Sequence, residues 1–336
     1  MRHLIRWVPF ELHTHTNHSD GSHTLDVLVD NAIKLGYEGI ALTDHSTMSG
    51  LAEAELLQNS TGLHIIGGME WTTFFGHVLF LGIKEYVDWR DLGIGDLHKR
   101  LSTVHAQGAV IGAAHPFRVG SPMCTGCYWN YEVQDWSEID YIEVWSGTFP
   151  SVHKVNLRAF QLWTDLLDQG YRISAVSGRD WHSPEPVSEP LAATFLAIDE
   201  DGGTEVAEMA VKALGAGLIS VSMGPLLLLR ILSLKRQKQW HIGEIIPNSG
   251  SHEKLEVKIY LDRTARAGYW VLEDEPLSIV VNSNLGSLTK IVLHTGNTNA
   301  SFTMEATGLK WIRAEMYGVL HGADTMIAFT NPVYFE

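Results

Sequence analysis

The stretch VPFELHTHTNHSDGSHTLDVLVDNAIKLGYEGIALTDH, residues 8–45, reads as one strand–helix–strand unit with metal-binding side chains at its strand ends. Its middle, residues 24–36, has helical spacing: Leu25, Leu28, Val29, Ala32 and Ile33 recur on one face. Thr24 stands where a helix starts and Gly36 where one ends. On either side lie short β-rich runs, the first ending in His13 and His15 and the second in His45. Side chains alternate along a strand, so His13 and His15 point the same way and can share one ion.

The same unit repeats outward. The runs 64–72, 77–82, 109–116, 141–147, 171–182 and 217–225 read as buried strands, and 48–59, 94–107, 149–169 and 203–216 read as helices. Continuous apolar strands suit a parallel sheet covered on both faces. The alternation predicts an α/β fold, a closed or distorted (β/α) barrel over residues 1–224. After Gly224 the pattern becomes strand alternation with turn residues and no helix. A small all-β, sandwich-like domain is therefore expected over 225–336. A chain of 336 residues exceeds the ~250 at which single cores stop growing, which agrees with two units.

Further ligand types stand at the later strand ends. Glu70 ends IIGGME, His77 begins HVLFLG, and His115 ends VIGAAH. Asp180 and His182 form a second alternating pair at the end of SGRDWH. Asp20 lies in a Gly-containing turn five residues after His15. In a barrel the carboxyl ends of the strands converge on one mouth, so these residues are expected to meet. Thirteen of the 17 histidines precede residue 183, a bias that favours a site over scattered surface histidines. His, Asp and Glu without thiolates favour Zn, Mn or Fe. Nine candidate ligands exceed the need of one tetrahedral ion, so two or three divalent metal ions are expected.

The formal charge of −15 argues against general nucleic-acid or anionic-membrane binding. A small-molecule anionic substrate remains compatible with it, because metal ions reverse the local sign. Cys124 and Cys127, as CTGC, have no second pair and no redox-motif context, and are read as a loop or a labile disulfide. The N-terminal MRHLIRWVPFELH lacks a sustained apolar core, and PLLLLRIL (225–232) is too short to span a bilayer. The expectation is a cytoplasmic enzyme without a signal peptide.

HTHTNHSDG, LTDH, GGMEWT, GHVLFLG, AHPF and SGRDWH, in this order, resemble the PHP (polymerase and histidinol phosphatase) superfamily of metal-dependent phosphoesterases. The resemblance covers residues 8 to about 224 and implies a distorted (β/α)7 barrel with a trinuclear centre. It implies that His13, His15, Glu70 and Asp180 hold a first ion. Glu70 would bridge to a second ion held by His77 and His115, and Asp20, His45 and His182 would hold a third. The tail WIRAEMYG…IAFTNPVYFE resembles the β domain of the carbaryl-hydrolase-like (CehA/McbA) branch.

The chemistry implied is hydrolysis of a phosphomonoester or phosphodiester by a hydroxide held between ions. Glu70, Asp180 and His182 would be catalytic through the ions they hold. Arg118 and Arg179 are candidates for gripping a substrate anion, and His153 for protonating a leaving group. Glu143 can orient a ligand histidine or simply be a buried carboxylate bonded to backbone. His18 and His23 read as loop residues, and Trp71, Trp145 and Trp181 as core or pocket wall. No G-x-S-x-G supplies a nucleophile, and GIGDLHKR (93–100) lacks the G-K-S/T of a phosphate loop. Carboxylester or carbamate hydrolysis at the same centre is the alternative, and a non-catalytic PHP module another. An amidohydrolase barrel is disfavoured because no lysine sits at a matching strand end.

Overall fold

A computed structural model describes residues 5–119, 128–199, 205–233, 235–247, 253–294 and 296–336. Cys124, Cys127 and His252 lie outside them. The first part of the chain runs β1 (Ile5–Thr14), α1 (Leu25–Lys34), β2 (Gly39–Leu42), α2 (Leu51–Thr61), β3 (His64–Thr73), β4 (Gly76–Leu81), α3 (His98–His105) and β5 (Val110–Ala114). It continues with β6 (Tyr141–Ser146), α4 (Lys154–Gln169), β7 (Ser174–Gly178), β8 (Ala193–Asp199), α5 (Val206–Gly215) and β9 (Ile219–Ser222). After that come only strands: β10 (Leu226–Ser233), β11 (Lys238–His241), β12 (Ile245–Ile246), β13 (Lys254–Asp262), β14 (Leu277–Ser283), β15 (Gly286–Leu293), β16 (Asn299–Glu305), β17 (Trp311–Leu320), β18 (Ala323–Thr330) and β19 (Val333–Phe335).

Strands β1 to β7 form a ring in chain order. It closes where the chain beyond β7 returns to β1: Trp181 N–H donates to the His13 carbonyl (3.0 Å) and His15 N–H to that of Trp181 (2.9 Å). β8 pairs antiparallel with Ile5–Phe10, the other half of the same edge of β1. One long strand thus both closes the barrel and extends the sheet.

The sheet departs from the expected all-parallel pattern. β4 pairs antiparallel with both β3 and β5, because the turn between β3 and β4 is too short for a crossover helix. β8, which the sequence reading passed over, and β9 are also antiparallel. Continuous hydrophobicity reports burial on both faces, not strand direction. The helix expected over 149–169 begins only at Lys154, after a 3-10 turn at Pro150–Val152. It buries Ala159, Trp163, Leu166 and Leu167 and ends at Gly170, whose φ of 101° closes it.

Beyond residue 224, β11, β10, β13 and β16 form a separate four-stranded sheet. β13 alternates in burial throughout and β10 does so from Leu227 onward, with Leu227, Leu229, Ile231, Leu255, Val257 and Ile259 fully or almost fully enclosed. These share a core with Ile279, Val281, Ile312, Ala314 and Met316 of the other sheet, as in a sandwich. That other sheet is continuous with the barrel, since β18 pairs antiparallel with β9 from Thr330↔Ser220 to Ala328↔Ser222. Among the described residues no helix is long and apolar enough to cross a membrane.

One polar clamp on the outside carries a pH signature. His105, at the end of α3, bonds Asp140 (2.9 Å), which also accepts the Ile111 N–H (2.8 Å). The hydrogen bond to Asp140 raises the His105 pKa against the opposing effect of burial. A raised histidine contributes stability that is fully present below ~6.5 and is lost as pH rises through its folded value. Urea melts of wild type and His105→Gln should therefore differ most at acid pH, by no more than ~1 kcal/mol for so exposed a pair, and converge at alkaline pH. A gap that widens with pH would refute the clamp.

Candidate metal centre

The barrel mouth collects side chains from β1, the ends of β2 and β7, β3, β4 and the turn after β5. His77 belongs to this mouth because β4 is antiparallel. Its first residues lie level with the last of β3 and β5, as Thr72↔His77 and His77↔Ala114.

Four buried atoms converge at the centre: His13 Nε2, His15 Nε2, Glu70 Oε2 and Asp180 Oδ1. None of the four makes a hydrogen bond of acceptable geometry among the described residues, although His45 Nδ1 also stands 2.8 Å from Glu70 Oε2. His13 Nε2 is 3.2 Å from Glu70 Oε2 and 3.4 Å from Asp180 Oδ1; His15 Nε2 is 3.3 and 3.2 Å from the same two oxygens. A tetrahedral ion with ligands at ~2.0–2.1 Å has ligand–ligand edges of ~3.3–3.4 Å. Buried polar atoms are normally paired, so four orphans at this spacing fit a cation.

A second group shares Glu70, whose other oxygen is 2.9 Å from His77 Nδ1 and 3.3 Å from His115 Nε2. In a third, Asp20 Oδ1 lies 3.3 Å from His45 Nε2 and 3.1 Å from His182 Nε2, and these two nitrogens are 3.4 Å apart. His15 stands close enough to join that group as well. All nine residues picked from the sequence thus come together as three overlapping groups.

Neighbouring groups set the tautomers. His13 donates its Nδ1–H to Glu143 (2.7 Å), leaving Nε2 as a lone pair aimed at the centre. His182 does the same by donating Nδ1–H to the Asp180 carbonyl (2.9 Å). Gly178 is required here: a Cβ on it would lie 2.6 Å from His13 Cβ and 2.7 Å from the Glu143 carboxylate. Backbone strain also gathers at the site, since His115, Asp180 and Ser46, next to His45, all have positive φ. Such conformations cost ~1–3 kcal/mol each and persist where surrounding structure enforces them.

Without ions the charges are strongly coupled. Burial pushes the His13 pKa down, but Glu70, Glu143 and Asp180 together carry it well above its ordinary value. Burial wins at His15, which falls to about 4 despite Asp180 and Glu70. His45 rises to about 10, burial being outweighed by Glu70 and Asp20. Glu70 and Asp180 are held well below the carboxylate range, the surrounding histidines overcoming burial. Asp20 falls to about 2 through its hydrogen bond from His45.

Three supporting residues escaped the sequence reading. Asp44, 2 % exposed, accepts from Thr16 N–H (2.7 Å), Thr16 Oγ1 (2.8 Å) and Ser19 Oγ (2.7 Å), and so shapes the turn that carries Asp20. Glu11 accepts the backbone N–H of His13 (3.0 Å) and Arg179 (2.7 Å), tying β1 to the end of β7. Thr72 hydrogen-bonds His45 Nδ1. Asp44 was visible as the carboxylate beside His45, but strand alternation turns it away from the ligand face, and only its partners reveal its work.

A cavity of about 830 Å³ opens over the ligands, and both Arg118 and Arg179 line it. Arg118 Nη1 donates to Asp180 Oδ2 (2.9 Å) and lies 3.4 Å from Ser146 Oγ. His153 is not brought to the cavity wall; its ring donates to the Thr148 carbonyl (3.0 Å) at the start of α4. His18 bonds Ser49 (2.8 Å), and His23, 3 % exposed, donates to the His15 carbonyl (2.7 Å). Trp71 and Trp145 are core, whereas Trp181 both packs against α1 and touches the cavity.

Glu143→Gln should weaken metal binding ~10–100-fold, because the amide no longer supports the His13 imidazole with a full charge. Competition with a chromophoric chelator measures this, with circular dichroism to confirm the fold. An unchanged affinity would remove Glu143 from the support of the site.

Residues 11–103 match the family model described as PHP domain. The chain is 35% identical over 81 residues to phosphoribosyl 1,2-cyclic phosphate 1,2-diphosphodiesterase of Eggerthella lenta, covering 22% of this chain and 31% of that protein. It is 31% identical over 109 residues to 3',5'-nucleoside bisphosphate phosphatase of Chromobacterium violaceum, covering 31% and 38%. The matched stretch thus spans about a third of each relative's length. A crystal structure from Bacteroides vulgatus, described as a two-domain protein containing a predicted PHP-like metal-dependent phosphoesterase, superposes with a TM-score of 0.52. The identity is 15%, over 98% of this chain and 96% of that one. At that identity the likeness concerns the fold, and it extends through the strand-rich C-terminal part.

Proposed function

With residues 11–103 of PHP-domain type as premise, we propose that this chain is a metal-dependent phosphoesterase acting on a small phosphomonoester or phosphodiester. The observation that carries the reading is the set of four orphaned buried atoms at tetrahedral-edge spacing, flanked by two further ligand groups. His13, His15, Glu70 and Asp180 would hold one divalent ion. Glu70, His77 and His115 would hold a second, and Asp20, His45 and His182 a third. The donor set suits Zn, Mn or Fe. When bound, such ions lower the pKa of water and offset charge on phosphoryl oxygens.

The chain's own residues do the positioning. Glu143 and the Asp180 carbonyl fix which nitrogens of His13 and His182 are free. Arg118 holds Asp180 by its outer oxygen, so that the inner one faces the histidines. In the reaction, water oxygen adds to phosphorus, the P–O ester bond breaks, and the leaving oxygen takes up a proton. Residues 1–224 would carry this chemistry, with 225–336 as an accessory unit of the kind found in the carbaryl-hydrolase-like branch.

Mn- and Zn-loaded protein assayed on matched aryl phosphates, aryl phosphodiesters and aryl carbamates tests the proposal. Turnover of a phosphate ester is the expected result. Full metal occupancy with hydrolysis of the carbamate alone would replace it with carbonyl chemistry, and no hydrolysis at all would leave a binding module.

A further inference from the structure

Two arginines line the cavity, and they differ in what they are bound to. Arg118 is committed to Asp180. The Arg179 guanidinium forms no ion pair and no side-chain hydrogen bond among the described residues. It lies over the Trp181 ring, 4.2 Å from the centroid. The buried carboxylate whose charge reaches the Arg179 guanidinium, Glu11, lies in no ion pair with it and already accepts the backbone N–H groups of His13 and Arg179.

Trp181 is a fixed platform. It is 2 % exposed, its indole N–H donates to the Ser183 carbonyl, and its backbone closes the barrel against His13 and His15. A guanidinium stacked on a ring keeps its N–H edge free for a planar anion. Half-buried cations normally find a carboxylate, and in a chain of charge −15 acidic partners are plentiful. Of the cavity's other acidic residues, Asp20 and Asp180 belong to the ligand groups, and Glu185 is exposed. On that reading the cations that the three groups would hold offset the charge of the reacting phosphate, which leaves Arg179 for another group. The cavity, at about 830 Å³, lies within the ~300–1,000 Å³ of pockets that enclose a whole small molecule.

We infer that the substrate is a phosphate ester whose organic part bears a second anionic group, carboxylate or phosphate, and that Arg179 on Trp181 selects for that group. This rests on the phosphoesterase reading above and adds the substrate class.

The test uses the full chain loaded with Mn, and a ladder of ω-carboxyalkyl phosphates beside n-alkyl phosphates of equal length. At some chain length the carboxylated ester should have a kcat/KM roughly 10–100-fold higher, the size of a charge-assisted hydrogen bond, expressed mainly in KM. Arg179→Gln should bring that ratio close to one, and Arg179→Lys, which keeps charge but loses the fork, should retain part of it. Metal content is measured on both variants. If Arg179→Gln loads poorly, the wild-type ladder and Arg179→Lys decide.

A second arm titrates ω-carboxyalkyl and n-alkyl phosphonates, which hydrolysis cannot cleave, by calorimetry. Carboxylate-dependent binding that Arg179→Gln abolishes, without turnover of any phosphate ester, would sink the phosphoesterase reading and keep the anion subsite. Equal values for carboxylated and plain compounds at every length in both arms would overturn the inference, as would a preference that survives in Arg179→Gln.

Discussion

Glu70→Gln should abolish phosphate-ester turnover, by at least ~10³ in kcat, and empty two of the three ligand groups together. The reason is geometric. One Glu70 oxygen stands 3.2 and 3.3 Å from His13 and His15, and the other 2.9 and 3.3 Å from His77 and His115. An amide keeps one acceptor and turns two N–H donors toward nitrogens that need a cation. The fold should survive, because β3 is held by its ladders with β2 and β4 and not by this side chain. Elemental analysis beside circular dichroism reads both halves. Full metal content in a folded Glu70→Gln would show that the carboxylate does not bridge.

Stripping the ions with a chelator should have the other large effect, on stability. An ion present at a thousand times its Kd stabilises the native state by ~4 kcal/mol, so removal should lower the melting temperature by several degrees for each ion lost. Reloading at neutral pH should release protons. In the cation-free site the acidic neighbours lift His13 well above its ordinary pKa and His45 to about 10, so both carry protons that an ion must displace. Apparent affinity should therefore fall as pH falls. Calorimetry in buffers of different ionisation heat counts the protons. An apparent heat that is the same in every buffer would mean that these histidines are already neutral.

Much of the site was legible before any coordinates, and for a definite reason. A strand ending in H-x-H or D-x-H places ligand types on one face by backbone geometry alone, and a barrel sends strand ends to a common mouth. Nine positions could be picked that way, and the structure gathers all nine. Arg118 and His153 show the limit of the same reasoning. Arg118 follows His115 by three residues and His153 follows the end of β6, yet one is engaged with Asp180 and the other is turned to the Thr148 carbonyl. Proximity along the chain does not state which way a long or loop-borne side chain turns.

The strand directions were similarly hidden. β4 reads as apolar as its neighbours, but the two residues between β3 and β4 leave no room for a crossover, so it returns antiparallel. That reversal is what carries His77 to the mouth. The break in pattern at residue 224 was visible, whereas the hydrogen-bonded join between β18 and β9 was not, because pairing across more than a hundred residues leaves no local trace.

What the sequence determined by itself was the inventory: strand–helix alternation, then strands alone, with acids and imidazoles at the strand ends. These follow from periodicity and residue chemistry, which are local. Only the tertiary structure decided that Glu70 faces two histidine pairs, that Glu143 and the Asp180 carbonyl choose the free nitrogens, and that the Arg179 guanidinium lies over the Trp181 ring. Those are statements of distance and direction between segments up to about 170 residues apart, and they exist only once the ring of strands has closed.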